Sequence, residues 1–205
     1  YLIDEAHNLL DRARDMYSAD IAKSDFKMPK KYFKERNHFL YKKLNNCVLA
    51  LRKLEKEAEE VAYFHLHKNA DAVYFPIFHL IGPLEEYLTD HENFPEREEI
   101  VEFYFKISHF YMILDGMDNG YEIYSEKRGR DFFLRLFCVN PSDKLEEYIQ
   151  NSRSSIFFSA TLLPVQYYRQ LLLGNHYEAY QISSPFEKEK RILAITEDVT
   201  SRYTR

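Results

Sequence analysis

The sequence predicts a mainly α-helical fold with an α/β portion, in which a helical segment is inserted between two pieces of a parallel sheet. Three observations predict it. Only five glycines and seven prolines occur in 205 residues, which favours long helices over the many tight turns of an all-β fold. A heptad pattern of apolar residues follows Pro29. Short apolar strands stand beside helical segments near both ends of the chain, an order typical of parallel sheets.

Composition limits the classes of protein to which this chain can belong. Apolar residues make up 45% and charged residues 30%, so a hydrophobic core is expected. The net charge of −5 argues against nucleic-acid binding by the whole surface but leaves room for a local basic groove. Cys47 and Cys138 stand far apart and outside any CxxC pair, so no zinc or iron–sulfur site is expected within the chain. A reducing cytoplasm is the simplest setting.

The chain shows no recognisable targeting signal. No stretch of about 18 uninterrupted apolar residues is present, so no membrane span is expected. The first residues lack a signal-peptide pattern and an initiator Met, which suggests a chain that begins inside a larger protein. Residues 1–3 are predicted to end a buried strand, and a short amphipathic helix is predicted from Asn8 to Tyr17.

The longest predicted helix follows Pro29. Its apolar residues recur in steps of three and four after a first gap of seven, which is a heptad seam. We expect one helix of about 30 residues, roughly 45 Å long, packed antiparallel to others. The seam consists of Phe33, Leu40, Leu44, Cys47, Leu51, Leu54, Ala58 and Val61.

Two further helices are predicted before the pattern changes. The first covers residues 72–88 and is expected to bend or break near Pro76 and Pro83. The second begins near Pro95 and ends at Gly116; it is apolar almost all round between residues 100 and 114, so it is expected to be the buried centre of a bundle. Residues 121–125 and 132–139 predict a β-hairpin, because the turn-like residues 127–130 join two short apolar strands. A helix at 141–150, a strand at 155–159, a helix at 164–173 and a strand at 177–182 complete the prediction.

Polar residues follow two of the predicted strands. Asp4-Glu5-Ala6-His7 comes directly after the first strand, and Ser159-Ala160-Thr161-Leu162 comes after residues 156–158. In nucleotide-driven motors, one acid at such a strand end holds Mg²⁺ and the next orients or deprotonates the attacking water. The alternatives are a solvated acidic turn with Asp4 as a helix N-cap, and an ordinary Ser/Thr cap. If the motor interpretation holds, the two polar segments end neighbouring parallel strands.

These segments resemble motifs of one helicase family. Residues 3–9 resemble the Walker B motif, motif II or DEAH box, of the XPD/DinG family of superfamily-2 helicases. Residues 154–164, with the helix behind them, resemble its motif III, and residues 183–186 (Ser-Ser-Pro-Phe) resemble the start of its second motor lobe. In that family a helical Arch domain lies between motifs II and III, and about 150 residues separate the two motifs in this chain.

The resemblance implies a domain organisation and a function. Residues 1–17 would end the first motor lobe, 18–140 would form an Arch-like insert with a hairpin near 121–139, 141–182 would return to the first lobe, and 183–205 would start the second. The implied activity is ATP hydrolysis coupled to 5′-to-3′ DNA unwinding in repair or replication, by a protein expected to be a monomer. The sequence has no phosphate-binding loop, so the chain alone is expected to be inactive. The family's iron–sulfur cysteines would lie upstream.

The resemblance also implies roles for individual residues. Asp4 would bind Mg²⁺ through water, Glu5 would be the catalytic base, and His7 would couple the nucleotide site to motif III. Ser159, Ala160 and Thr161 would relay the state of the ATP site to the DNA-binding surface. ATP and Mg²⁺ are therefore the expected cofactors of the full-length protein.

Two basic segments are candidates for contact with single-stranded DNA or DNA junctions. Residues 23–43 hold eight basic residues and two acids, with aromatic rings interleaved, a combination found in single-strand binders. The alternative is a solvated helix face whose rings belong to the core. The candidates are Lys30, Lys31, Lys34, Arg36, Lys42 and Lys43, together with Lys127, Arg128 and Arg130 of the hairpin.

Two other functions remain open from the sequence. The helical insert could serve mainly as a non-catalytic module that binds DNA or repair proteins. A nuclease-associated role, known for some DinG-like proteins, would need an acidic metal cluster, which the sequence pattern does not supply.

Overall fold

The computed structural model describes residues 1–58, 64–172, 177–183, 185, 186, 190 and 192. The predicted fold class is confirmed: the chain is mainly helical and has a parallel sheet, an antiparallel sheet and a helical insert. The helices are α1 (Leu9–Met16), α2 (Lys27–Arg36), α3 (His38–Ala58), α4 (Asp71–Asp90), α5 (Arg97–Asp115), α6 (Ser142–Gln150) and α7 (Val165–Leu172). The strands are β1 (Leu2–Ile3), β2 (Ala19–Ala22), β3 (Phe64–His67), β4 (Tyr121–Arg128), β5 (Asp131–Cys138) and β6 (Ile156–Phe157), with 3₁₀ turns at Ala6–Asn8 and Lys23–Phe26.

The predicted 30-residue helix is two helices, and the prediction of one continuous helix is wrong. The break lies at Asn37, which has extended backbone angles (φ −147°, ψ 94°). Its N–H donates to the Phe33 carbonyl, and its Oδ1 accepts the N–H of Leu40 at 3.0 Å. Asn37 therefore ends α2 and caps α3, as asparagine favours at a helix N-terminus. The heptad seam still marks the core: its seven members up to Ala58 are all buried, and Val61 lies outside the described residues.

Helix α4 packs beside α3, and helix α5 packs beside α4 and the antiparallel sheet. Of the bend or break predicted near Pro76 and Pro83, the break does not occur, because α4 continues through both prolines. Helix α5 is not buried all round: Phe105 and Met112 are about 60% exposed, while Ile107 and Phe110 on the other face are fully buried. A run of apolar residues predicts burial on every side only if neighbours are available to cover every side.

The predicted hairpin is confirmed, and it forms the centre of a larger sheet. Strands β4 and β5 pair antiparallel from Tyr121 opposite Cys138 to Arg128 opposite Asp131. The two-residue turn begins with Gly129 at φ +62°, a conformation that glycine adopts without strain. Strands β2 and β3 add to the two edges, so the order is β2-β5-β4-β3. Neither edge strand was predicted, although a lone hairpin is only marginally stable and needs such partners.

Two hydrophobic clusters stabilise the described part of the chain. The larger combines helices α2–α5 with the antiparallel sheet, and Phe26, Phe33, Leu44 and Phe110 lie at its centre. The smaller joins α1, α6 and α7 through contacts among Leu10, Ala13, Leu145, Ile149 and Leu172. The second cluster brings the two ends of the described chain together and supports the small parallel sheet of β1 and β6. The domain boundaries given above stay predictions.

The C-terminal part departs from the prediction. Residues 177–183 form no strand, and Tyr180 and Ile182 are 83% and 91% exposed, because an apolar run becomes a strand only where another strand receives its hydrogen bonds. Strand β6 covers only two residues of the strand predicted at 155–159, and its Ile156 is 60% exposed. Leu173, Gly174, Ser184 and most of 187–205 lie outside the described residues. No described helix is long and apolar enough to cross a membrane.

Candidate functional site

The candidate site lies where β1 and β6 end side by side. These strands run parallel, with Leu2 opposite Ile156 and Ile3 opposite Phe157. Backbone hydrogen bonds extend the pairing beyond the strands: Phe158 N–H donates to the Ile3 carbonyl at 3.0 Å, and Ala6 N–H donates to the Phe158 carbonyl at 3.1 Å. The prediction that the two polar segments end neighbouring parallel strands is thereby confirmed.

Three side chains from the two segments form one hydrogen-bonded triangle. Glu5 Oε2 lies 3.0 Å from His7 Nδ1 and 3.1 Å from Ser159 Oγ. His7 Nδ1 lies 2.8 Å from the same Ser159 Oγ. Glu5 and Ser159 are 154 positions apart in sequence, so the triangle joins two segments that only the fold brings together.

The distances determine where the hydrogens of the triangle lie. A carboxylate can only accept, so the contact between Glu5 Oε2 and His7 Nδ1 is attractive only when Nδ1 carries a hydrogen. The Ser159 hydroxyl donates to the same carboxylate oxygen and is left to accept from His7 Nδ1. We assign the Nδ1–H form of His7 on this pattern. The negative charge of Glu5 is thus held by two donors.

Thr161 belongs to the same network. Its N–H donates to Ser159 Oγ at 3.2 Å, and its hydroxyl lies 3.3 Å from that oxygen. Ser159 is therefore the side chain that contacts both Glu5 and the turn that carries Thr161. Ala160 is exposed between them and contributes backbone only.

Glu5 has an uncommon backbone conformation. Its φ of 49° and ψ of 41° are left-handed, and it is the single non-glycine residue with positive φ among the described residues. A left-handed backbone conformation in a non-glycine residue costs on the order of 1 kcal/mol, and residues with this conformation occur often at functional sites. The conformation directs the chain from β1 into the 3₁₀ turn that carries His7.

Asp4 is exposed, and one of its two carboxylate oxygens accepts a hydrogen bond. Its Oδ1 accepts the N–H of Glu5 at 2.7 Å. The carboxylate keeps further acceptor capacity, which suits a contact with hydrated Mg²⁺. No group of three or more His, Cys, Asp or Glu side chains that could hold a metal occurs within residues 1–58, 64–172 and the short described stretches after them.

Two of the aromatic rings interleaved in segment 23–43 are buried. Tyr32 and Phe33 are 5% and 0% exposed, so they are core residues and cannot stack on bases. Burial and a hydrogen bond with Tyr87 raise the pKa of Tyr32 to about 12. Arg36 lies over the Tyr32 ring and donates to the Tyr32 carbonyl, so it is engaged at the end of α2.

The remaining candidates divide by position. Lys31, Lys34 and Lys42 are exposed on α2 and α3. Lys43 lies over the exposed Phe39 ring at 5.2 Å.

On the hairpin, Arg128 pairs with Glu126 and lies over the Phe133 ring. Lys127 is half-buried on β4. Lys30 and Arg130 come together across a cleft, where Arg52 of α3 joins them. Arg52 was not predicted from the sequence. The one feature that could have indicated it is its position four residues after Val48, on the same face of α3.

Comparison of the sequence with known proteins finds similarity to a helicase. The chain is 23% identical to the ATP-dependent DNA helicase CHL1 of Coccidioides immitis (strain RS), over an alignment of 205 positions that covers 84% of this chain and 24% of that protein. The chain thus spans about a quarter of that relative. No protein-family model matches the chain. The similarity supports a relation to the helicases and does not define a subfamily.

Proposed function

We propose that this chain is part of an ATP-dependent DNA helicase of the XPD/DinG type, which couples ATP hydrolysis to 5′-to-3′ strand separation. The observation that carries the proposal is the Glu5–His7–Ser159 triangle at the ends of two paired parallel strands. A solvated acidic turn would not need a serine from a strand 154 positions away to hold its carboxylate.

Each residue of the site has a role in this proposal. Asp4 would hold a Mg²⁺ ion, which would neutralise charge on the transferring phosphoryl group when bound. Glu5 orients the attacking water and accepts its proton. His7 and Ser159 hold the Glu5 carboxylate in position, and Thr161 connects this carboxylate to the segment after β6. A polar relay of this kind lets a change at the nucleotide move the motif III turn.

The experiment is a charge-neutral substitution of Glu5 in the full-length protein. Glu5→Gln keeps the size of the side chain and removes the base, so DNA-stimulated ATP hydrolysis should fall by about 10²- to 10⁴-fold. Asp11→Asn is the matched control, because Asp11 is an exposed acid of α1 whose contact is a 3.7 Å pair with Arg14. Hydrolysis that survives Glu5→Gln, or that falls equally in Asp11→Asn, would overturn the proposal.

A second candidate is a protein-binding module formed by the helical insert. Phe75 and Phe78 of α4 and Met112 of α5 are between 51% and 63% exposed, more large apolar surface than a solvated bundle needs. In this alternative the insert docks repair proteins and the motor is degenerate. Hydrolysis unaffected by Glu5→Gln would favour it. A monomeric state, a cytoplasmic location and an iron–sulfur cluster upstream of this chain stay predictions.

A further inference from the structure

A basic cleft lies between helices of the insert and the turn of its hairpin, remote from the Glu5 site in sequence. It has a volume of about 360 Å³ and is lined by residues of the first 3₁₀ and helical turns after β2, of α3, and of the hairpin turn. This volume lies at the lower end of the range of about 300–1,000 Å³ that is usual for ligand sites. Its cations are Lys23, Lys27, Lys30, Arg52 and Arg130.

Most of these charges are uncompensated. Lys23 is neutralised by Glu55, whose two carboxylate oxygens lie 2.6 Å from its Nζ. Lys27, Lys30, Arg52 and Arg130 form no ion pair with any residue that the structure describes. Four cations brought to one concave surface repel each other, and an anionic ligand relieves that repulsion.

The single acid in the cleft wall does not change this balance. Asp131 Oδ1 accepts the backbone N–H groups of Ser24 at 3.2 Å and Phe132 at 3.0 Å. Its carboxylate therefore holds the hairpin turn against the 3₁₀ turn and positions Arg130 at the cleft. Five cations against the carboxylates of Asp131 and Glu55 leave a formal charge of +3 around the cleft.

The chemistry of the cleft favours phosphate over a base. Its apolar wall consists of Phe26 and Val48, which are 0% and 8% exposed, so no ring is free to stack on a nucleobase. Two guanidinium groups and two free ammonium groups are the groups that bind phosphate oxygens, arginine in bidentate fashion and lysine as a point charge.

We propose that the cleft formed by Lys27, Lys30, Arg52 and Arg130 binds the phosphodiester backbone of a nucleic-acid strand, independently of its sequence. This rests on the proposed function for the identity of the anion, since a strand is the polyanion that a helicase must hold. The hairpin turn, α2 and α3 each contribute cations to the cleft, so the strand would cross the insert where the hairpin meets the helices.

The test compares two double variants of the full-length protein that remove equal charge. Arg52→Gln/Arg130→Gln removes two cations of the cleft, and Arg12→Gln/Arg153→Gln removes two exposed arginines outside it. All four side chains are exposed, so both variants should fold. Binding of single-stranded oligonucleotides, oligo-dT and a mixed sequence, is measured without nucleotide over a range of salt concentrations. The result therefore does not depend on whether Glu5 hydrolyses ATP.

The cleft variant should bind both oligonucleotides about tenfold more weakly, and its salt slope should fall by about 0.7 for each phosphate that the protein no longer neutralises. The Arg12/Arg153 control should stay within about twofold of the wild type. An equal loss of oligonucleotide affinity in the two variants would show that the effect comes from net charge alone and would overturn the proposal. Unchanged affinity in the cleft variant would also overturn it. Inorganic pyrophosphate is the third ligand. A different outcome is that pyrophosphate binds the wild type and binds the cleft variant more weakly, while oligonucleotide binding is the same in both proteins. In that case the cleft binds a free phosphate ligand, and the assignment to a nucleic-acid strand is wrong.

Discussion

Removing the Ser159 hydroxyl should uncouple ATP hydrolysis from strand separation. In the proposed mechanism Glu5 performs the chemistry and Ser159 passes its state to the turn that carries Thr161. Ser159→Ala deletes the oxygen at the centre of the triangle, while Glu5 Oε2 keeps its 3.0 Å contact with His7. The catalytic base is therefore still held, but it is no longer connected to the second strand.

The expected size follows from the hydrogen bonds of this hydroxyl. It bridges to Glu5 at 3.1 Å and to His7 at 2.8 Å, and each such bond contributes about 0.5–1.5 kcal/mol net. Because the Glu5 side chain is 61% exposed, values near the low end apply. The two bonds together contribute about 1–1.5 kcal/mol, which corresponds to about a five- to tenfold change in an equilibrium.

The assay is the number of ATP molecules hydrolysed per base pair separated by the full-length protein. Ser159→Ala should raise this number about five- to tenfold while hydrolysis itself changes by less than about threefold. Ser159→Thr is the control, because it keeps a hydroxyl at the same position and should behave like the wild type. Ser159 has no such coupling role if Ser159→Ala unwinds as efficiently per ATP as the wild type, or if the threonine variant is equally impaired.

Two further predictions concern stability. Asn37→Ala removes the oxygen that accepts the Leu40 N–H and should lower the free energy of unfolding by about 0.5–2 kcal/mol, whereas Asn37→Asp keeps the acceptor and should cost less; urea unfolding of the three proteins checks this, and equal stability of the alanine variant would contradict it. Burial and the neighbouring His65 lower the pKa of His67, whose Nε2 lies 2.7 Å from Ser125 Oγ. The His67 ring therefore binds a proton less readily in the folded state than in the unfolded state. The contribution of His67 to the free energy of unfolding should therefore be fully present above the unfolded pKa of 6.5 and decrease as the pH falls below it. In urea unfolding at pH 7.5 and pH 5, His67→Gln should lose less stability between the two pH values than the wild type. An equal loss in the variant would show that His67 does not cause the pH dependence.

The parts of this structure that depend on local pattern could be predicted from the sequence. The seam residues of α3 are buried because a period of 3.5 keeps them on one face of a helix. The site could be located because polar residues directly after an apolar strand must emerge at its end, and two such strands in parallel end at the same edge.

The parts that depend on distant partners could not be predicted. The helix breaks at Asn37 because of the backbone angles of that one residue. The spacing of the apolar residues does not indicate these angles, except that a gap of seven residues precedes Leu40. Strands β2 and β3 have four residues each, and their pairing with the hairpin is non-local. Arg52 and Arg130 meet in one cleft because of how α3 packs against the hairpin, which neither segment indicates alone.

The most direct test of the central claim is a disulfide scan between β1 and β6. Ile3 and Phe157 are direct partners in the parallel register, and partners on neighbouring strands lie about 4.8 Å apart, within the reach of a disulfide. The native thiols should not interfere, since Cys47 and Cys138 are buried and burial raises the pKa of Cys47 to about 12.

Ile3→Cys/Phe157→Cys should form an internal disulfide on mild oxidation, detected as a linked peptide by mass spectrometry. Ile3→Cys/Ile156→Cys should not, because a slip of one residue places the two side chains on opposite faces of the sheet. Preferential linkage of positions 3 and 156, or equal linkage in the two variants, would contradict the register that brings Glu5, His7 and Ser159 together.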